Sequence, residues 1–272
     1  MQPIFQVNAR MDRLFDVAFV RPPSDSYVKC VSSNPARNRI DIGLAKKQHS
    51  DYDSILKESG VKVIELSTLN DFPDSVFMQD PALVGSRTAL IGRFGEARRR
   101  GEEKALLTEL RNHRDKIGMI KPIRAPGTLE GGDILLTERE IFVGESRRTN
   151  KNGIRQLTEH LDSFKVTTVK TRLLHLLCGC TYLNRRTMLL APDLVNSETF
   201  PGYDCVFVPK EEAYASDALY LGEERVLIPS GYPKTKMKLK QAGYSPIEAE
   251  MSEFWKGDGG VTCLCSPVYT IL

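Results

Sequence analysis

No stretch of this 272-residue chain approaches the roughly 18 consecutive apolar residues of a membrane-spanning helix. Strong charge is missing too. Lys and Arg exceed Asp and Glu by a net +3, and no basic run interleaved with aromatics is present, which argues against a nucleic-acid partner. The densest basic cluster is Arg98–Arg100. Neither G-x-G-x-x-G nor G-x4-G-K-[ST] occurs, so a phosphate-cradling loop is excluded. The N-terminal MQPIFQVNARMDRLFD carries charge by its tenth residue and lacks an apolar signal core, which predicts a cytoplasmic protein. In that reducing compartment the six cysteines are expected as thiols. No Pro/Ser/Gly-rich linker divides the chain, so a single domain over 1–272 is expected. With 41% hydrophobic and 27% charged residues, it has the balance of an ordinary globular protein.

A recurring unit occupies the sequence instead. P-A-L-V-G-S-R-T-A-L-I-G-R-F-G (81–95), G-D-I-L-L-T-E-R-E-I-F-V-G-E-S (132–146), C-T-Y-L-N-R-R-T-M-L-L-A-P (180–192) and A-L-Y-L-G-E-E-R-V-L-I-P-S-G (218–231) each set two apolar runs about a polar turn. That is a hairpin signal. Helical periodicity follows three of them. Residues 101–117 carry Ala105, Leu106, Leu110 and Ile117 on one stripe, 150–164 start at a capping Asn150, and 233–242 are Lys-rich. Single strands then return at Met119–Ile123, Val166–Val169 and Tyr244–Ala249. Gly118 sits where a helix C-cap belongs. The third unit lacks a clear helix. The N-terminus offers a strand (16–21), a helix (41–59) and a strand (61–66) with no hairpin partner, which the last strand, 268–272, can supply. Five units closed into a ring, with strand ends meeting at a central cavity, are therefore expected.

Chemistry-bearing residues are few. Of four histidines, His113 and His160 lie in charged helical stretches and are expected in solvent, and His49 lies in a polar stretch. His175 alone sits in an apolar, strand-like run, R-L-L-H-L-L-C-G-C. A satisfied core histidine is the ordinary reading. Cys263, in D-G-G-V-T-C-L-C-S-P (258–267), follows two glycines that permit close backbone approach. It is ordinarily a structural thiol; as a nucleophile it needs an activating neighbour, and a buried thiol with an imidazole would be such a pair. Glu130 and Asp133 occupy the Gly-rich G-T-L-E-G-G-D (127–133), as turn residues or as proton-handling acids. Asp74 and Asp80, six apart in F-P-D-S-V-F-M-Q-D-P (72–81), would share one face of an extended segment and suit a guanidinium. Arg98–Arg100 and Arg147-Arg148 follow corresponding hairpins. They are either solvated or bidentate carboxylate ligands. A zinc site from His175, Cys178, Cys180, Cys263 and Cys265 has C-x-C rather than C-x2–4-C spacing, which disfavours it.

Taken in chain order, V-R-P-P (20–23), P-D-S-V-F, G-T-L-E-G-G-D, F-V-G-E-S-R-R-T-N, L-L-H-L and D-G-G-V-T-C resemble the dimethylarginine dimethylaminohydrolases of the pentein superfamily. The resemblance covers nearly the whole chain and implies an α/β, five-bladed ββαβ propeller with a central active site. It implies hydrolysis of the guanidinium C–N bond of an Nω-methylated arginine through a covalent thiouronium on Cys263, with His175 as general acid/base and Glu130 holding the guanidinium. Asp80 would be a second guanidinium acid, Asp74 the acid near the α-amino group, and Phe77 a pocket aromatic. Arg99 (or its neighbours Arg98 and Arg100) and Arg148 would clamp the α-carboxylate, with Val31 in the covering loop and Cys265 structural. The family implies no cofactor and no metal, a small guanidino substrate, and neither membrane nor nucleic acid; a homodimer is compatible with it. Two departures stand out. Gln79 replaces a family Glu, leaving one negative charge fewer near the cation, and Leu177 replaces a Lys. Arginine deiminases, the related alternative, have an Asp at the Leu177 position that grips unsubstituted guanidine nitrogens; Leu177 cannot do so, although Asp80-Pro81 is deiminase-like. A catalytically silent binding protein is the third reading.

Overall fold

The computed structural model describes residues 12–112 and 117–272. His113 and the start of the N-terminal stretch lie outside them. Strand β1 (Phe15–Val20) is buried along almost its full length, as a strand covered on both faces must be. Helix α1 (Ile42–Glu58) carries the chain over to β2 (Lys62–Glu65), parallel to β1. Asp41 caps α1 by accepting from the Leu44 N–H at 3.0 Å, and Ala45, Gln48, His49, Tyr52, Asp53 and Leu56 form its buried stripe. His49, from a polar stretch of sequence, is thus inside the fold, and His160, expected in solvent, is held by Thr88 Oγ1 at 2.9 Å.

The expected hairpins are present. They are β3 (Ala82–Gly85) with β4 (Thr88–Ile91), β6 (Ile134–Leu136) with β7 (Glu140–Glu145), β9 (Cys180–Tyr182) with β10 (Thr187–Leu190), and β12 (Leu219–Gly222) with β13 (Arg225–Pro229). Parallel strands follow each: β5 (Met119–Pro122), β8 (Lys165–Lys170), β11 (Asp204–Phe207) and β14 (Ser245–Ala249). The intervening helices are α2 (Glu103–Asn112), α3 (Lys151–His160) and α4 (Pro233–Gln241). Asn150 caps α3 by accepting from the Gly153 N–H, and Gly118 takes the left-handed φ of +72° expected of a helix terminator. The third unit replaces its helix with a loop holding a 3-10 turn at Ser197–Thr199, and still completes its sheet with β11. A short helix, α5 (Ser252–Trp255), was not expected.

The C-terminal strand β15 (Cys265–Tyr269) begins three residues earlier than the apolar pattern indicates, because the chain enters it directly from a 3-10 turn at Thr262–Leu264. It pairs antiparallel with β1 and parallel with β3, which gives one six-stranded sheet, β2-β1-β15-β3-β4-β5, beside three three-stranded sheets.

Among the described residues, the buried apolar side chains form five clusters, each shared by two units. Val17 and Phe19 meet Val84, Ile91 and Leu106; Leu83 and Leu90 meet Ile134 and Leu157. Leu135 and Phe142 meet Met188, and Leu189 meets Val226 and Leu239. The fifth cluster joins the last unit to the first, through Leu221, Leu227 and Ala249 against Val20, Tyr52 and Leu56. Each such aliphatic side chain contributes about 1.5–3 kcal/mol when buried, so no unit buries its apolar face without its neighbours.

Candidate active site

The 3-10 turn at Thr262–Leu264 presents Cys263 to a narrow pocket. Val31, Asp74, Phe77, Asp80, Arg99, Arg148 and His175 also line it, so residues far apart in sequence are brought together. Segment 72–81 is not extended as expected but is a succession of turns; Asp74 and Asp80 nonetheless both reach the pocket. His175 is likewise not in a strand. It sits at a bend before the 3-10 turn Leu176–Cys178.

Glu130 is fully buried beneath the pocket. Its Oε2 lies 2.9 Å from His175 Nε2 and 3.2 Å from Arg148 Nη1, while Oε1 accepts from the Gly95 N–H at 2.9 Å. The glycines beside it are needed for packing: a Cβ at Gly132 would fall 2.7 Å from the His175 ring and 2.8 Å from Asp80 Oδ1. Asp133, which sequence left as a turn acid, accepts from the Leu176 N–H (3.0 Å) and from Ser146 Oγ (2.7 Å). It therefore positions the His175 turn without touching the pocket, and burial pushes its carboxyl up to about 6.

His175 Nδ1 lies 3.6 Å from Asp80 Oδ1. Burial alone would lower the imidazole pKa; Asp80 and the Glu130 hydrogen bond outweigh it and hold it at about 9, so His175 is an imidazolium at neutral pH. Asp80 shows the converse balance. Burial opposes its ionisation, but His175 and Arg99 keep its carboxyl below the ordinary range. Its Oδ2 takes Arg99 Nη1 at 2.6 Å, whereas its buried Oδ1 accepts no hydrogen bond among the described residues. A carboxylate oxygen so placed is a ready acceptor for a guanidinium N–H.

Of the three consecutive arginines, Arg99 lines the pocket. Arg98 is exposed and paired with Glu96, and Arg100 donates to Phe94 O. Arg99 also grips Glu102 and stacks over Phe94, with Cζ 4.5 Å from the ring centroid. Asp74 accepts from the Val31 N–H with both oxygens, at 3.0 Å each, and so ties down the covering loop. Gln79 goes elsewhere. Its backbone N–H donates to Cys263 O (3.2 Å), but its side chain donates to Gly131 O (3.4 Å) and lines a separate cavity with Leu177, Thr181 and Tyr269. Gln79 is therefore not among the residues that line the Cys263 pocket.

Among the described residues, the cysteines are not part of a converging group of metal-ligand atoms. Cys180 and Cys265 are wholly buried in apolar clusters, and all six thiols are free. The ligand-type atoms that do converge, within 4.8 Å, are those of Asp80, Glu130 and His175. Sequence reasoning missed Asp217. It is buried, its Oδ1 accepts from the Thr262 N–H at 2.8 Å, and the Cys263 thiol donates towards its Oδ2 at 4.0 Å. The signal for it was positional: Asp217 precedes its hairpin by the same two residues as Asp80.

Residues 24–270 match the family described as N,N dimethylarginine dimethylhydrolase, eukaryotic. The N(G),N(G)-dimethylarginine dimethylaminohydrolase of Pseudomonas aeruginosa is 37% identical over 254 residues, which is 92% of this chain and 98% of that protein. The solved structure of a cysteine-to-serine mutant of Pseudomonas aeruginosa DDAH complexed with citrulline matches with a TM-score of 0.87 at 35% identity, covering 94% of this chain and 100% of that one. At 21% identity, the N-terminal domain of ArgZ, an arginine dihydrolase from cyanobacteria, shares the fold with a TM-score of 0.84, covering 94% and 99%. Fold and site together define an enzyme that hydrolyses guanidino carbon–nitrogen bonds. The chain belongs to the dimethylarginine dimethylaminohydrolase family of the pentein superfamily.

Proposed function

We propose that the enzyme converts an Nω-methylated arginine, dimethylarginine foremost, to citrulline and the corresponding amine through a thiouronium on Cys263. The observation that carries this is the convergence of Cys263, the His175–Glu130 pair and the unpartnered Asp80 Oδ1 on one pocket with Arg148. Asp80 and Glu130 offset the +1 guanidinium; Arg148 and Arg99 are read as the pair that takes an α-carboxylate, Arg148 while bonded to Glu130 and Arg99 while bonded to Asp80 and Glu102; Asp74 and the loop at Val31 are read as facing the α-amino group. Cys263 Sγ attacks the guanidinium carbon. His175, already charged, gives its proton to the departing amine, and as neutral imidazole it then takes one from the attacking water. The five units are read as blades of a closed ring forming one domain, in support of which each core cluster joins successive units and the last joins the first. The reading places the protein in the cytoplasm, in keeping with its six free thiols.

Unmethylated arginine is the second reading, favoured by the fold shared with an arginine dihydrolase. Against it, Leu177 is packed among Leu135, Leu176 and Tyr182 and supplies no acid for unsubstituted nitrogens. Citrulline and amine release should be measured from asymmetric dimethylarginine, monomethylarginine, arginine and agmatine. The methylated arginines should be turned over fastest and agmatine, which lacks a carboxylate, poorly. Preference for arginine, or for agmatine, would overturn the proposal.

A further inference from the structure

The thiol proton of Cys263 needs an acceptor, and His175 is not available. Its Nε2 bonds Glu130 and its Nδ1 faces Asp80, and an imidazolium cannot take a second proton. Among the described residues, the side-chain acceptor to which the thiol is hydrogen-bonded is Asp217 Oδ2. We propose that Asp217 removes the Cys263 proton as the sulfur attacks, leaving His175 for the departing amine. The proposal rests on the hydrolase reading above and deepens it.

The surroundings are built for this. Asp217 is anchored by the Thr262 N–H, the backbone neighbour of the nucleophile, at 2.8 Å. A Cβ at Gly260 would fall 2.2 Å from Asp217 Oδ2, so only glycine lets the carboxylate lie under the turn. Tyr214, from the same segment, donates to Gly259 O at 2.6 Å and pins that turn a second time. Asp80, His175, Cys178 and Tyr214 also face the pair, and Arg147, Arg172 and Asp258 line an adjoining cavity of about 370 Å³ with Asp217. Burial pushes Asp217 up to about 6, which makes it more basic than an exposed carboxylate while leaving it ionised at neutral pH. Burial, then Asp217 and Asp80, raise the thiol well above its ordinary value, so the resting sulfur carries its proton.

The step balances. The S–H bond breaks to Asp217, the C–S bond forms, and the C=N π pair moves to a substrate nitrogen, giving a neutral adduct. His175 protonates the dimethylamino nitrogen and the C–N bond breaks, leaving the thiouronium cation and neutral imidazole. Water then adds with loss of a proton to His175. When the C–S bond breaks, the sulfur takes its proton back from Asp217, and the hydroxyl proton passes to solvent, where the released amine is protonated.

Asp217→Asn keeps the acceptor for Thr262 but not the base. Its amine release from dimethylarginine should fall by about a hundredfold or more, as for loss of a general base. Its Cys263 should be alkylated by iodoacetamide at pH 7 at least about tenfold faster, because an opposing charge has gone. Asp217→Glu should recover at least tenfold of the Asp217→Asn loss. Turnover within threefold of wild type in Asp217→Asn would overturn the proposal, as would an unchanged alkylation rate or a Glu variant no better than Asn. Should Asp217→Asn fail to fold, the acid limb of kcat in Asp217→Glu decides: a midpoint identical to wild type overturns it. If wild type releases amine from no arginine derivative, the substrate reading fails instead, and the alkylation comparison still tests the Asp217–Cys263 pair.

Discussion

Replacing Asp80 with Asn tests how the site keeps His175 charged. The nearest carboxylate oxygen, Oδ1, lies 3.6 Å from His175 Nδ1. Two unit charges at that separation interact by about 4.6 kcal/mol at an effective dielectric constant of ~20, or roughly three pKa units at about 1.4 kcal/mol each. Asn keeps an oxygen for Arg99 Nη1, now at 2.6 Å, so the main loss is charge. Glu130 still accepts from His175, so the midpoint should fall from about 9 by about two to three units rather than collapse. His175 would then be largely neutral at pH 8, and the alkaline limb of kcat would move down with it. The readouts are the pH profile of amine release and the imidazole NMR titration of the free enzyme. Stability should follow. A histidine whose folded pKa lies above its unfolded 6.5 stabilises fully below 6.5 and loses that contribution as pH rises through about 9. The variant's melting temperature should therefore fall less than wild type between pH 7 and 9.5. An unchanged His175 midpoint would refute the reasoning and make the Asp80–His175 approach incidental.

Cys263→Ser should abolish turnover, whereas Cys265→Ser, in the fully buried core, should lower stability by about 1–2 kcal/mol and leave most activity; comparable activity loss in the two would undo the assignment. Arg148→Ala should raise the Michaelis constant of an arginine derivative by the equivalent of about 1.5–3 kcal/mol, with part of the effect on kcat because Glu130 loses its partner at 3.2 Å. Gln79→Glu should place an acceptor against the Gly131 carbonyl, now 3.4 Å from the amide nitrogen, and cost about 1–3 kcal/mol in chemical denaturation without tightening substrate binding. A lower Michaelis constant in that variant would restore position 79 to the substrate's surroundings.

Hairpins, helices and return strands were legible because apolar spacing directly records which face is buried, as in the α3 cap at Asn150 and the left-handed Gly118. The end of the chain was not. An apolar run 268–272 marks burial, but pairing with β1 starts at Cys265, and only the partner strand's register fixes that. The same limit hid the different directions of Gln79 and Asp80. In a strand, alternation would have separated them; in a chain of turns, neighbouring side chains follow local φ/ψ, and only the folded positions of Gly131 and Arg99 show where each points. His160 was misplaced, and the burial of His49 was not seen, for a related reason: polar neighbours in sequence say little about what the far side of a helix meets.

The repeat itself held one further signal. The residue two positions before the first strand of each hairpin pair is Asp80, Gly132, Cys178, Asp217 or Cys263. Asp80 and Cys263 line the pocket, Cys178 and Asp217 line the adjoining cavity, and a Cβ at Gly132 would strike His175. If the units succeed one another around a centre, equivalent positions must converge there whatever their side chains, and each can specialise without disturbing the apolar clusters between units. Two became thiols, Cys178 and Cys263, two became acids on either side of Cys263, and one lost its side chain so that an imidazole could enter. Chemistry at this site therefore follows from repeat geometry first and from residue identity second. That is why a lone Cys after two glycines looked ordinary in the sequence, and why Asp217, unremarkable in Y-A-S-D-A-L, lies against Cys263.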